Sequence, residues 1–313
     1  MKKLFTVILS GILGVSLISA LSACSFRNLN SADMSKYNVG NAVITDKVEA
    51  LDIEWASGAV EIVTGSGSEV VIEESYSGSI PDEKKMHWYL DGTTLKIIYD
   101  TSLDFFTLVS SSSKTLTVTL PADLLLNKAE ISVASADVKA DALRCRKADL
   151  DTASGNINVT FPDTVDSADI DVASGDMNVR FGGDVGSLKV DAASGDLKAY
   201  VSGNLGSFDF DAASGSLELN AAGTAGSGSV STASGTVDLS FAGIDDLDID
   251  TASGNVTLHV PENASLAIDI DTASGDFNYD IPFVKNGDAY ILGSGDGDVN
   301  IDTASGDIEI LKR

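Results

Sequence analysis

Apolar and polar positions alternate with a period of two along most of the chain beyond residue 130, the pattern of half-buried β-strands. Leu150, Ile170, Val190, Phe210, Val230, Ile249, Ile270 and Ile301 take one face of such strands. Their neighbours on the other face are mostly aspartates, as in Asp149 and Asp151 or Asp169 and Asp171. A second alternating run follows each of the first, with Ile157 and Val159, Met177 and Val179, Leu197 and Ala199, then Leu217 and Leu219. Ala-Ser-Gly separates the two runs, from Ala153-Ser154-Gly155 to Ala304-Ser305-Gly306. Looser turns at Pro162, Gly182-Gly183, Gly203 and Gly223 close the units.

The units recur with little variation. From Ser135 to Ser274 the turn serines lie 19, 20, 20, 20, 20, 19 and 21 residues apart. Units this short cannot each enclose a core, so they must stack, like residue on like, into parallel strands about 4.8 Å apart. The expected fold is all-β: a single-stranded, β-helix-like β-solenoid of about 20-residue repeats with an irregular β cap at its N-terminal end. Seven or eight coils at that spacing give a rod roughly 35–40 Å long. A propeller would need a period of about 40 residues, which is absent. Glycine supplies the positive φ that sharp reversals need, and serine bonds backbone groups within a turn. Ser-Gly also resembles a nucleophile turn, but its recurrence at every period favours a structural role.

Two stretches depart from the period. Ser274 and Ser305 are 31 residues apart, so either Ile281 to Asp296 interrupts the stack or one coil is abnormal. Residues 47–130 keep strand-like runs without the strict period and carry Trp55, Trp88, Tyr76, Tyr89, Tyr99, Phe105 and Phe106. They read as the irregular cap, with aromatics plugging the end of the solenoid and sugar stacking as the alternative role. Residues 131–313 are the repeats.

The N-terminus indicates a compartment. Lys2 and Lys3 precede an apolar run from Leu4 to Leu21, the layout of a secretory signal. Leu21-Ser22-Ala23-Cys24 resembles the lipobox of bacterial lipoproteins. That resemblance implies a signal peptide over 1–23, lipidation of Cys24 and a polar tether over 24–46. The expected location is extracytoplasmic, at the cell envelope, with the membrane contacted through a lipid anchor. Cys145 then has no intramolecular disulfide partner; between Arg144 and Arg146 it is either a reactive thiol or an inert filler.

Charge narrows the partners. Asp and Glu number 47 against 20 Lys and Arg, a net charge of −27. That field repels nucleic acid and attracts cations or basic partners. The aspartates preceding the turns, Asp151, Asp171, Asp191, Asp211, Asp250 and Asp271, should form a ladder in which like charges stand side by side at a cost. Divalent cations, calcium above all, or a cationic peptide would relieve it; water, salt and turn hydrogen bonds are the structural alternative. Gly293-Ser294-Gly295-Asp296-Gly297-Asp298 is similar to calcium-binding glycine–aspartate turns, in one copy.

Catalytic chemistry finds no foothold. His87 and His259 are the two histidines, and His259 falls at an outward strand position. No nucleophilic triad, phosphate loop or zinc spacing occurs, and carboxylate pairs are too common to be diagnostic. No cofactor is expected apart from the calcium candidate.

Thr115-Leu116-Thr117-Val118-Thr119-Leu120-Pro121, followed by the Ala-Ser-Gly-Asp repeats, resembles the DUF4097 family of bacterial proteins, also grouped under the label "putative adhesin". The likeness spans residues 47–313 and brings no catalytic motif. It implies a non-catalytic adhesin, binding or scaffold module directed at a cell-wall polymer, host matrix or cationic peptide. Some relatives look like components of envelope-stress systems, which keeps a sensor of cations or cationic peptides open; a carbohydrate-active enzyme on a β-helix scaffold is the third reading.

Overall fold

Each period folds as its alternation dictates, into two short strands joined at the Ala-Ser-Gly corner. The computed structural model describes residues 34–99 and 114–313. Strands before the corner, among them Cys145–Thr152, Val165–Val172, Val185–Ser194, Leu205–Ser214, Thr224–Ser234 and Gly243–Ser253, stack in parallel as a first row. Strands after it, Ile157–Phe161, Met177–Phe181, Leu197–Val201, Leu217–Ala221, Val237–Ser240 and Val256–Val260, form a second row. Inward positions meet their like: Ile170 stands beside Leu150 and Val190, and Val179 beside Val159 and Ala199. The chain is a β-solenoid.

The core is a set of columns running along the stack. Leu150, Ile170, Val190, Phe210, Val230, Ile249 and Ile301 form one, all buried. Burying each such side chain contributes about 1.5–3 kcal/mol. Phe161 and Phe181 stack in the next coils at 5.0 Å between ring centres. At the corner the close approach of coils leaves room only for glycine. A Cβ on Gly195 would lie 1.9 Å from the carbonyl oxygen of Gly175, and Gly195 has φ +135°.

The ends are built differently from the middle. Ala50–Gly65 and Leu126–Ala140 run through both rows and pair side by side, so the first long strand already forms a coil. The outer neighbours of Ala50–Gly65 are later in sequence, Thr94–Ile98 in the first row and Lys114–Pro121 in the second. Antiparallel strands His87–Asp91 and Val70–Tyr76 then cover those two edges. The stack therefore holds more levels than the seven or eight turns visible as repeats.

The far end repeats the inversion. Gly297–Thr303 lies between Gly243–Ser253 and Leu266–Thr272, and Ile308–Lys312 lies between Val256–Val260 and Phe277–Tyr279. The last coil in sequence is thus the penultimate coil in space. Within the 31-residue gap, Val284–Asn286 and Ala289–Leu292 form an antiparallel hairpin that covers Leu266–Ile268, and the chain then returns inside the stack. The inversion pairs Ile308–Lys312 on both sides, so neither of its edges is left open.

A consequence can be measured. Truncation after Asp296 removes an inner coil, so it should strip the partners of residues 269–272 and 277–279 as well, while the hairpin still covers 266–268. Backbone amides of residues 269–272 are expected to lose hydrogen-exchange protection by roughly a hundredfold or more, while those of Val165–Val172 keep theirs. Retained protection at residues 269–272 would contradict the inserted position of the last coil.

Candidate binding face

Outward positions of the first row align as strictly as inward ones. Asp151, Asp171, Asp191, Asp211, Ser231, Asp250, Asp302 and Asp271 occupy successive levels of one column. All six aspartates expected from the sequence fall in it. Asp302 was not expected there; it enters between Asp250 and Asp271 because the last coil is inserted. Its own Asp302-Thr303-Ala304-Ser305-Gly306 was the available signal.

A second column runs two residues earlier on the same outward side. It comprises Glu130, Asp149, Asp169, Lys189, Asp209, Ser229, Asp248, Asn300 and Asp269. Two rows of carboxylates thus line one long face. Beside them Ser167, Ser187 and Ser207, with Lys189, Asp169 and Asp209, rim a shallow groove of about 350 Å³ floored by Ala168, Leu188 and Phe208.

Crowding and partial burial show in the acidities. Asp171 is pushed up to about 7, first by desolvation and then by Asp191, Asp151 and Asp169. Its Oδ1 is buried and has no hydrogen-bond partner. Asp151 is pushed up to about 6 by burial and Asp149, with the Ser132 hydroxyl at 3.1 Å pulling the other way. Burial also raises Asp169, Asp211, Asp250 and Asp302.

Some of the charge is answered within the chain. Lys128 Nζ reaches Glu130 at 2.8 Å and Asp149 at 3.0 Å, Lys189 pairs with Asp191, and Asn300 donates to Asp248 at 2.9 Å. Among the described residues no three His, Cys, Asp or Glu side chains gather as a metal-ligand set.

The acid raised by burial sets a pH dependence. A carboxyl whose folded pKa lies above its unfolded value near 3.9 stabilises the fold fully below that value, and the benefit is lost as pH rises through the folded pKa. Stability should therefore fall between about pH 4 and pH 7 as Asp151 and Asp171 ionise. Asp171→Asn should flatten part of that fall and, after allowance for solvent screening, stabilise the protein at pH 8 by about 1 kcal/mol. Urea midpoints at pH 5 and pH 8 check this; an Asp171→Asn protein weaker than the parent at pH 8 would be inconsistent with crowding at this column.

Other carboxylates have a structural task that the sequence reading missed. Asp137 Oδ1 accepts the backbone N–H of Asn156 at 2.8 Å, Asn156 Oδ1 that of Asp176 at 3.0 Å, and Asp176 Oδ1 that of Asp196 at 3.2 Å. Asp196, Asn255 and Asp307 continue the series toward Ser216, Asp307 and Asp276. In most coils the residue after Ser-Gly is thus a staple to the next coil, and its fixed place in the repeat was the legible sign.

The remaining candidates separate. Cys24, Phe105 and Phe106 lie outside the described residues. Cys145 is buried, and desolvation pushes its thiol up to about 12, which fits an inert filler. The flanking Arg144 is engaged with Asp163 at 2.6 Å and the Ala122 carbonyl at 2.7 Å. His259 is half-buried, 3.4 Å from Asp238. Trp55 and Tyr99 are buried edge to face in the N-terminal end, as a plug would be. No described helix is long and apolar enough to cross a membrane.

Comparison with known proteins gives one family. Toastrack DUF4097 matches residues 48–160, 123–222 and 213–311. No curated protein matches the chain. Among solved structures, a "putative adhesin" from Bacteroides fragilis is 10% identical and has a TM-score of 0.40, covering 89% of this chain and 97% of its own. A "putative adhesin" from Parabacteroides distasonis is 13% identical with a TM-score of 0.39, covering 87% and 97%. A "putative cell adhesion protein" from Clostridium sporogenes is 14% identical with a TM-score of 0.27, covering 88% and 100%.

Proposed function

Since the chain belongs to the Toastrack DUF4097 family, we propose that it is a non-catalytic binding module, an adhesin or scaffold held at the outside of the cell membrane by a lipid on Cys24. The observation that carries this reading is the aspartate column of the first row. It repeats one residue type from coil to coil, broken among the described residues by Ser231, whereas a catalytic site needs one place where a nucleophile, a base and a stabilising group converge. A rigid repeated surface suits an extended ligand, which it can engage at many equivalent points.

The test is binding of the lipid-free chain, residues 25–313, to immobilised cell-wall polymers, matrix proteins and cationic peptides. Saturable, salt-resistant binding to one polymer or matrix protein supports the adhesin or scaffold role. Turnover of any panel polymer would refute a non-catalytic module.

A second reading is favoured by the crowded aspartate column, in which the pKa values of Asp151 and Asp171 are raised. Carboxylates held above their ordinary range by burial and then by one another gain from any cation placed between them, so the face suits a cationic peptide or calcium, as a sensor of either would require. Millimolar calcium is then expected to raise the melting midpoint, and an unchanged midpoint argues against calcium as that cation.

A further inference from the structure

The two ends of the stack are finished differently. At the N-terminal end both rows are covered by antiparallel strands. At the C-terminal end the hairpin covers only Leu266–Ile268, and among the described residues no strand lies outside Asp269–Thr272 or Phe277–Tyr279. The bonds inward are made by alternate residues: Gly306 N–H donates to Ser274, Ile308 N–H to Asp276, and Asp280 N–H to Ile310. The backbone groups of Phe277 and Tyr279 consequently point away from the stack.

Elsewhere each turn carries a fixed set of bonds to the next coil. Gly175 N–H donates to Ser194, Met177 N–H to Asp196, and Asp176 Oδ1 accepts from Asp196 N–H. The equivalents in the outermost coil are Gly275 N–H, Phe277 N–H and Asp276 Oδ1, and none has a described partner. Beside them Phe277, Tyr279, Phe283 and Tyr290 form an aromatic cluster with centroid separations of 4.8 to 6.2 Å, and Tyr279 is 48% exposed. The edge is both an unfilled hydrogen-bond template and an apolar shelf.

We propose that this open C-terminal edge takes up one more β-strand, from an extended basic segment of a partner protein. The choice of occupant follows from charge. Asp269, Asp271, Asp276 and Asp280 are exposed along the edge, so a strand carrying Lys or Arg on alternate residues continues the stack as Lys189 does between Asp169 and Asp209. A second copy of this chain would set aspartate against aspartate, and head-to-tail stacking is blocked by the covered N-terminal end. The edge meets the long acidic face at Asp269 and Asp271, the last level of its two columns, but what it offers a partner is open backbone, and the bonds involved are those of β-augmentation.

The experiment uses the lipid-free chain and two short synthetic peptides of equal charge. One alternates lysine with valine; the other has proline in place of two valines. The expected result is at least a tenfold slowing of amide exchange at Phe277 and Tyr279 with the first peptide and none with the second. Equal binding of both peptides without change at those amides would overturn the proposal while leaving an electrostatic role for the long face intact. Failure of the first peptide to bind would overturn it as well.

Discussion

Gly195→Ala is expected to destabilise the protein by about 3–5 kcal/mol. Two costs combine. The residue has φ +135°, where a side chain is strained, and its new methyl would overlap the Gly175 carbonyl, 1.9 Å from the oxygen and 2.8 Å from the carbon. Those are backbone atoms of a coil held on both sides, so no rotamer relieves the overlap. Gly92→Ala separates the terms: it has φ +66° with nothing within 4 Å of the added methyl, and should cost only about 1–2 kcal/mol. Urea denaturation of both variants is the measurement. Equal losses would mean that the coils separate easily at the corner, against the stacked-glycine account.

The second large effect lies at the N-terminal end. The side chains of Lys114 and Glu74 are each 2% exposed and form an ion pair at 2.5 Å. Lys114 also donates to the backbone carbonyls of Lys84 and Tyr99 and lies over the rings of Trp55 and Tyr99. Glu74 Oε1 accepts the N–H of Met86 at 2.9 Å. The pair ties the covering strands to the outermost coil. Lys114→Met should cost about 3–5 kcal/mol, because it leaves a carboxylate buried without its cation. Adding Glu74→Gln should recover much of that loss, since the amide oxygen still accepts from Met86 and no buried charge remains. A double variant as weak as the single one would show that the charge pair itself is not what the end depends on.

Much of this fold was legible because in-register stacking writes one residue type at one place in every coil. Leu150, Ile170 and Val190 announce an inward column, and Asp151, Asp171 and Asp191 the outward one. The ends were not legible for a physical reason. Pairing of Ala50–Gly65 with strands later in the chain, or of Gly297–Thr303 with Gly243–Ser253, is long-range and leaves no local periodicity. The spacing of Ser274 and Ser305 marked an irregularity without saying that the chain doubles back. Lys114 reads in sequence as the opening residue of an ordinary strand; only the fold brings Glu74, Tyr99 and Trp55 around it. Likewise, Asp176 and Asp171 look alike in a chain this acidic. One bonds the next coil's backbone, while the other stands among carboxylates with an oxygen unpaired.

The most direct measurement is equilibrium binding of a cationic peptide to the lipid-free chain and to a variant with Asn at Asp169, Asp171, Asp191, Asp209 and Asp211. Neutral amides relieve the crowding, so the variant should fold at least as well as its parent. If the long acidic face is the working surface, the variant binds at least tenfold more weakly and the affinity of the parent falls with added salt. Equal affinity of the two proteins at every salt concentration would contradict the account, and would leave the repeated aspartates as a solvated surface alone.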